Sequence, residues 1–282
     1  MNLGELVART ARRFATAKLH YGHGTDNARD EAAYLVLRGL GLPFHADARI
    51  PVSDVDLRRV EQLAKRRIRE RIPTAYLLNE AWLDGLPFYV DKRVIVPRSH
   101  IAGLLHSWPV RVRRVLDLCC GSACLAVLAT VAFPLAKVDA ADISDASLAV
   151  AERNRRLHRL AHRLELVRSD LFAGLRGRRY DLIVTNPPYV PRAAMRSLPP
   201  EYRHEPGLAL GAGEDGMDLV SRILEAAPDH LYPGGGMLCE IGDNRAAFER
   251  RYPRLPVTWP RPEVFLYRPR SAAVSRMHAM RA

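Results

Sequence analysis

The sequence predicts an α/β protein: a small helical N-terminal domain (residues 1–78), a β-hairpin linker (79–97) and a larger domain with a mostly parallel sheet (98–282). Three observations predict it. Apolar residues recur at helical spacing up to about residue 71. Aromatic and β-branched residues then gather around an Asp-Gly dipeptide. Beyond residue 115, strand-like runs alternate with helix-like runs, the pattern of parallel strands joined by crossover helices.

In the first segment the periodic positions are Leu3, Leu6 and Val7, then Ala33, Leu35, Val36 and Leu37, then Val55, Val60, Leu63 and Ala64. A last helix is expected to start at Ser53, with Asp56 three residues on as its capping partner and Pro73 just past its end. The run from Lys65 to Arg69 reads as a solvated face. In the linker, Asp84-Gly85 suits a tight hairpin turn because glycine tolerates positive φ. The expected strands are 115–118, 137–141, 164–167, 180–184, 236–241 and 264–267, and no internal repeat is evident.

Bulk properties narrow the class. With 48% hydrophobic and 26% charged residues the chain can bury a substantial core, and no run is apolar and long enough to cross a bilayer. The first residues lack a basic segment followed by an apolar run, so a cytoplasmic location is expected. Cys119, Cys120, Cys124 and Cys239 lack the spacing of a zinc site and read as reduced, packed thiols. No metal is expected. His158 and His162, one helical turn apart, lie among arginines that disfavour a cation. A formal net charge of +12 favours an acidic partner such as nucleic acid. Of the 43 basic residues 39 are arginine, so a general arginine bias accounts for the charge equally well.

Ligands of open parallel sheets bind beyond the carboxyl ends of the strands. Residues 115–123 form a strand, a small-residue turn containing Gly121 and a helix expected to start near Ser122. Asp142 ends the next strand 21 positions after Gly121, where a carboxylate accepts both hydroxyls of a ribose. That spacing points to an adenosine-bearing cofactor and does not yet separate hydride transfer from methyl transfer. Asp170 follows the third strand and offers an acceptor to an adenine amino group, with Leu171 and Phe172 beside the ring. The turn lacks the long glycine fingerprint that a pyrophosphate requires, and Asp117 just inside it would repel phosphate. S-adenosylmethionine carries no phosphate and presents an ammonium and a sulfonium. The cofactor side is therefore assigned to Asp117, Cys119, Gly121, Asp142, Ile143, Asp170, Leu171 and Asn186.

Asn186-Pro187-Pro188-Tyr189 emerges from the end of the fourth strand. Two consecutive prolines fix φ and lack amide protons, so the segment is stiff and its carbonyls stay free. An amide or ring-conjugated amino group needs two acceptors to hold its hydrogens while its lone pair turns toward a methyl carbon. The Asn186 side-chain oxygen and the Pro187 carbonyl are the candidates, with Tyr189 over the substrate plane. The catalytic set is Asn186, Pro187 and Tyr189, with Pro188 on the substrate side.

The chain resembles the N5-glutamine methyltransferases over nearly its whole length. Asn79-Glu80-Ala81-Trp82, Phe88-Tyr89-Val90-Asp91, Val96-Pro97-Arg98-Ser99 and Tyr202-Arg203-His204-Glu205-Pro206 look like the branch acting on large-subunit ribosomal protein L3. The resemblance implies a class I, Rossmann-like S-adenosylmethionine-dependent methyltransferase domain with a seven-stranded sheet ending in a reversed hairpin. It implies cofactor contacts at Gly121, Asp142 and Asp170, and a glutamine amide held at Asn186, Pro187 and Tyr189. The implied partner is ribosomal protein L3, free or in an assembling subunit; the net charge leaves contact with ribosomal RNA open, and no membrane partner is expected. The turn-rich loop from Glu205 to Gly216 is expected to shape the glutamine pocket, with Glu205 on the substrate side. Two positions depart from the family pattern: Ala123 replaces a third turn glycine, and Gly103 replaces a glutamate after Pro-Arg-Ser. Rival readings remain: glutamine methylation of release factors, N-methylation of an exocyclic amine in RNA or DNA, and an inactive assembly factor.

Overall fold

A computed structural model describes residues 1–108 and 111–269. They divide into two units. One holds Met1–Arg98 together with Leu198–Pro206, and the other holds Ser99–Ser197 and the chain from Gly207 onward. The expected boundaries at 78 and 97 therefore shift: the hairpin belongs with the helices, and a strap from the second half of the chain joins them.

In the helical unit, α1 (Leu3–Thr16), α2 (Ala28–Gly39) and α3 (Asp54–Glu70) are each capped by a side-chain oxygen, from Asn2, Asn27 and Ser53 respectively. Each cap satisfies amide groups that the first helical turn leaves without partners. Short α4 (Thr74–Leu78) leads into strands β1 (Ala81–Leu83) and β2 (Leu86–Phe88). Asp84 at φ 49° and Gly85 at φ 77° form the turn between them, as the dipeptide predicts. Leu3, Leu6, Phe14, Leu35, Val36, Val60 and Ala64 make the core, matching most of the periodic positions.

The basic run in α3 is not wholly solvated. Arg67 is 1% exposed. Its guanidinium meets the Glu31 carboxylate, Glu201 at 3.1 Å and the His20 carbonyl at 2.8 Å. Thr74 donates to Glu31 at 2.7 Å. Buried charges persist only when paired, and here the partner Glu201 comes from the strap. A second strap carboxylate, Glu205, accepts from both Arg98 terminal nitrogens at 2.6 Å and from the Val96 amide at 3.0 Å.

The larger unit has a seven-stranded sheet formed by β3 (Arg114–Leu118), β4 (Lys137–Asp142), β5 (Leu164–Arg168), β6 (Tyr180–Thr185), β7 (Leu231–Glu240), β8 (Val257–Arg261) and β9 (Val264–Tyr267). The order is β5-β4-β3-β6-β7-β9-β8; the first five strands are parallel and β9 and β8 antiparallel. All six expected strands are present. Strand β8 escapes residue-by-residue reading because Pro260 interrupts it, and proline is tolerated there because β8 is an edge strand. Helices α5 (Ala102–Leu105), α6 (Cys124–Ala132), α7 (Asp145–Leu157), α8 (Arg192–Met195), α9 (Asp218–Ala226) and α10 (Arg245–Arg251) complete the unit. The sheet order reverses at β3, which places a switch point between β3 and β6.

Candidate active site

The turn after β3 is built from left-handed residues: Cys119 at φ 60°, Gly121 at φ 52° and Ala123 at φ 60°. Helix α6 begins at Cys124 rather than near Ser122. Its cap position is Ala123, whose methyl offers no acceptor. Buried Asp117 supplies one from β3, its Oδ2 accepting the Ala126 amide at 2.9 Å. At Ala123 the missing glycine matters through backbone angle rather than size, because a Cβ at positive φ costs roughly 1–2 kcal/mol. At Gly103 a Cβ would meet nothing within 4 Å, so that position has room for a longer side chain.

Burial pushes the Asp117 carboxyl up to about 8, against the Ala126 amide and with help from the Asp142 charge. A carboxyl raised in the fold favours folding when protonated, and that advantage is lost as pH rises from the unfolded value near 4 to about 8. Asp117→Asn keeps an acceptor for Ala126 and removes the titration. Its urea midpoint should therefore gain on that of the unsubstituted protein between pH 5 and 8, then hold level. A gap that does not change with pH would refute the burial of Asp117.

Asp142 locks the turn to β4. Its Oδ2 accepts the Gly121 amide at 2.9 Å and its Oδ1 the Ser144 amide at 2.9 Å. Burial raises its carboxyl above the ordinary range, and the amides of Ser144, Gly121 and Ile143 oppose that shift. The Cys120 amide reaches the Ala141 carbonyl at 3.0 Å, and the Ser169 amide reaches the Asp142 carbonyl at 2.9 Å. Three strand ends are thereby joined. Ile143 is 49% exposed beside this carboxylate. A Cβ on Gly121 would meet nothing within 4 Å, so the backbone of the turn is open to close approach. An acceptor pair, an exposed apolar side chain and a close-approach turn fit the ribose and adenine of S-adenosylmethionine.

The third-strand residues diverge from expectation. Asp170 is exposed, and both its oxygens lie 3.0 Å from Arg222 Nη2. Leu171, at φ 48°, and Phe172 are buried in the core, and Phe172 stacks on His230 at 4.4 Å instead of lying open beside a ring site. Cys119 is half-buried, and burial with the nearby Asp142 raises its thiol, so it is a packed thiol rather than a nucleophile.

Asn186, Pro188 and Tyr189 are half-buried and Pro187 is buried. Among the described residues, neither the Asn186 side chain nor the Pro187 carbonyl has a hydrogen-bond partner. Thr185, immediately before, donates to the Leu118 carbonyl at 2.8 Å and fastens the motif's strand to the cofactor strand. Tyr189 is fixed from three sides. Its carbonyl accepts Asn244 Nδ2 at 2.7 Å. A Cβ on Gly216 would lie 2.2 Å from that carbonyl oxygen, and one on Gly242 2.7 Å from the ring. Beyond it, Val190 exchanges bonds with Leu210 and Ala212 at 2.8 and 3.0 Å. Glu240 ends β7 next to this motif, since Cys239 pairs with Thr185. It is 2% exposed and accepts from Ser99 Oγ at 2.6 Å and the His100 amide at 3.1 Å.

Gly242, Asn244 and Glu240 escape the sequence reading, and Gly216 enters it only as the end of the loop expected to shape the pocket. The dipeptide Ile241-Gly242 after an apolar strand is a turn signal, yet nothing in it says what the glycine accommodates. Glu205, expected on the substrate side, is instead 5% exposed in the helical unit with its carboxylate engaged by Arg98 and Val96.

Residues 102–197 match the model of the methyltransferase small domain. The chain is 51% identical over 269 residues to the ribosomal protein uL3 glutamine methyltransferase of Bordetella pertussis, covering 91% of this chain and 90% of that one. It is 48% identical to the protein of the same name from Bradyrhizobium diazoefficiens, with 92% and 86% covered. For that of Burkholderia pseudomallei the identity is 47%, with 90% and 89% covered.

Proposed function

The chain belongs to the ribosomal protein uL3 glutamine methyltransferase family, and we propose that it transfers a methyl group from S-adenosylmethionine to the side-chain amide nitrogen of a glutamine in uL3. The observation that carries this reading is the pair of unpartnered acceptors at Asn186 and Pro187, placed at the sheet's switch point beside the cofactor turn.

Bound S-adenosylmethionine supplies an electrophilic methyl on a good leaving group, so the protein's work is positioning. Asp142 accepts the ribose hydroxyls while its backbone donors hold the carboxyl in place. Gly121 and Cys119 let the turn approach closely, and exposed Ile143 borders the adenine. Asp170 turns from Arg222 to the adenine amino group. The Asn186 oxygen and the Pro187 carbonyl hold the two amide hydrogens of the glutamine, so that its lone pair leaves conjugation and faces the methyl. Pro188 keeps the segment stiff and Tyr189 covers the amide plane. Such alignment is worth effective molarities of roughly 10⁵–10⁸ M. No strong base is required, because the methylated amide nitrogen loses its proton readily to water.

Purified protein incubated with methyl-labelled S-adenosylmethionine and separated ribosomal proteins should label uL3, and mass spectrometry should place the methyl on a glutamine. Label confined to ribosomal RNA would overturn the assignment in favour of an exocyclic amine.

A further inference from the structure

The five parallel strands run in one direction, so all loops at one edge of the sheet follow strands and all loops at the other precede them. At the following edge lie segments 119–123, 142–144, 169–172, 186–189 and 241–244, the cofactor turn and the Asn186 motif among them. They contain three acids, Asp142, Asp170 and Asp243, and no arginine or lysine. At the preceding edge, segments 111–114, 133–137, 158–163 and 176–179 contain nine arginines and lysines and no acid, and 227–230 adds only Asp229. A compositional surplus of arginine would populate both edges. In these loops it populates one, while at the other Arg168 ends β5 and pairs with Asp145, and Arg222 pairs with Asp170.

Three carboxylates lie just inside the strands at the basic edge, and all are engaged. Asp139 and Glu165 both meet Arg178 at 2.9 Å. Asp181 accepts the amides of Arg113 and Arg114 at 2.8 and 2.9 Å. Nine cations against these three and Asp229 leave a positive excess. Two of the cations are fixed by carbonyls rather than by carboxylates, so they are held in place without losing charge. Lys137 donates to the His162 carbonyl at 2.8 Å, and Arg163 to the carbonyls of Pro134 and Thr130 at 2.6 and 3.2 Å. Together with Arg114, Arg155 and His162 they line a polar cavity of about 430 Å³, whose wall also carries Asp139 and Glu165, the two carboxylates that Arg178 engages.

We propose that this edge binds the phosphate backbone of RNA. Multiple fixed cations around a polar recess are the chemistry of phosphate recognition, with affinity drawn from released counterions and little dependence on base sequence. The acids at the opposite edge repel phosphate, so an RNA held on the basic edge leaves the cofactor turn and Asn186 free for a protein glutamine. The choice of RNA among polyanions rests on the ribosomal reading above, whereas the separation of charge stands without it.

The test uses the full chain and a labelled short RNA hairpin, with binding followed by fluorescence anisotropy across a salt series. Replacing exposed Arg113, Arg114, Arg159 and Arg176 together by Gln should weaken binding at least about tenfold at 0.1 M salt. It should also flatten the slope of log affinity against log salt by about 3. The matched variant with Arg58, Arg59, Arg66 and Arg69 of α3 changed to Gln removes the same charge from exposed positions elsewhere and should bind RNA as the unsubstituted protein does. Absence of RNA binding by the unsubstituted protein, or equal loss in both variants, would overturn the proposal. Methyl transfer to isolated uL3 should be unchanged in both. Failure of the glutamine reading would appear separately, as absent methyl transfer by the unsubstituted protein with RNA binding intact.

Discussion

Asn186→Ala should lower the rate of methyl transfer by about 10²–10³-fold, the cost seen when a preorganised hydrogen-bonding partner of a reacting group is removed. Its affinity for S-adenosylmethionine, measured by calorimetry, should change by less than about threefold, a fraction of one hydrogen bond's net worth. The reasoning is geometric. Thr185, one position earlier, is buried and bonded to the Leu118 carbonyl, so the strand end survives the truncation. Only the free amide is lost, and with it one of two acceptors for the substrate nitrogen. The Asn186→Asp variant is informative too, since it keeps an acceptor and adds a charge next to buried Glu240; it should retain part of the lost rate. A parallel collapse of cofactor binding in Asn186→Ala would move the residue from the amide to the cofactor, the other role its position allows.

Gly216→Ala should cost about 10² in kcat, the effect of displacing a reacting group by roughly 1 Å. The added Cβ would sit 2.2 Å from the Tyr189 carbonyl oxygen, which also receives the Asn244 amide, so the motif itself has to shift. Positive φ adds a separate penalty, since Gly216 lies at 78°. Gly234→Ala isolates that penalty. Its φ is 83° and a Cβ there would meet nothing within 4 Å. Both variants should lose roughly 1–2 kcal/mol of stability from the backbone angle, but only Gly216→Ala should lose turnover. Equal activity in the two variants would show that Tyr189 does not depend on this contact.

Local patterns carried much of the architecture. Asp84-Gly85 turned out to be the hairpin turn because its conformational demand is written in two adjacent residues. Five of the six runs became strands largely buried in the sheet, which need little context to identify, whereas β5 is a partly exposed edge strand. Asp142 and Asn186 were legible for a related reason: in a parallel sheet the residue after a strand lands at the ligand edge whatever the rest of the chain does. What stayed hidden depends on distant partners. Arg67 looks like one more cation in a basic run, and only Glu31 and Glu201, 36 and 134 positions away, make it a buried ion-pair centre. Asp117 reads as a ligand contact until the side chain missing at Ala123 leaves α6 to be capped from β3. Glu205 sits in a motif-like stretch, and its commitment to Arg98, 107 residues earlier, has no local sign.

The strap from Leu198 to Pro206 makes the helical unit discontinuous in the chain. A truncation that removes the first 98 residues would leave Glu201 and Glu205, each almost fully buried in the intact protein, stripped of Arg67, Arg71 and Arg98. Those orphaned acids lie between α8 and the loop that pairs with Val190, on the stretch that follows the reacting motif. The helical unit is therefore not an exchangeable module appended to a self-sufficient enzyme. Any search for altered target choice by swapping N-terminal halves has to carry the nine-residue strap with them.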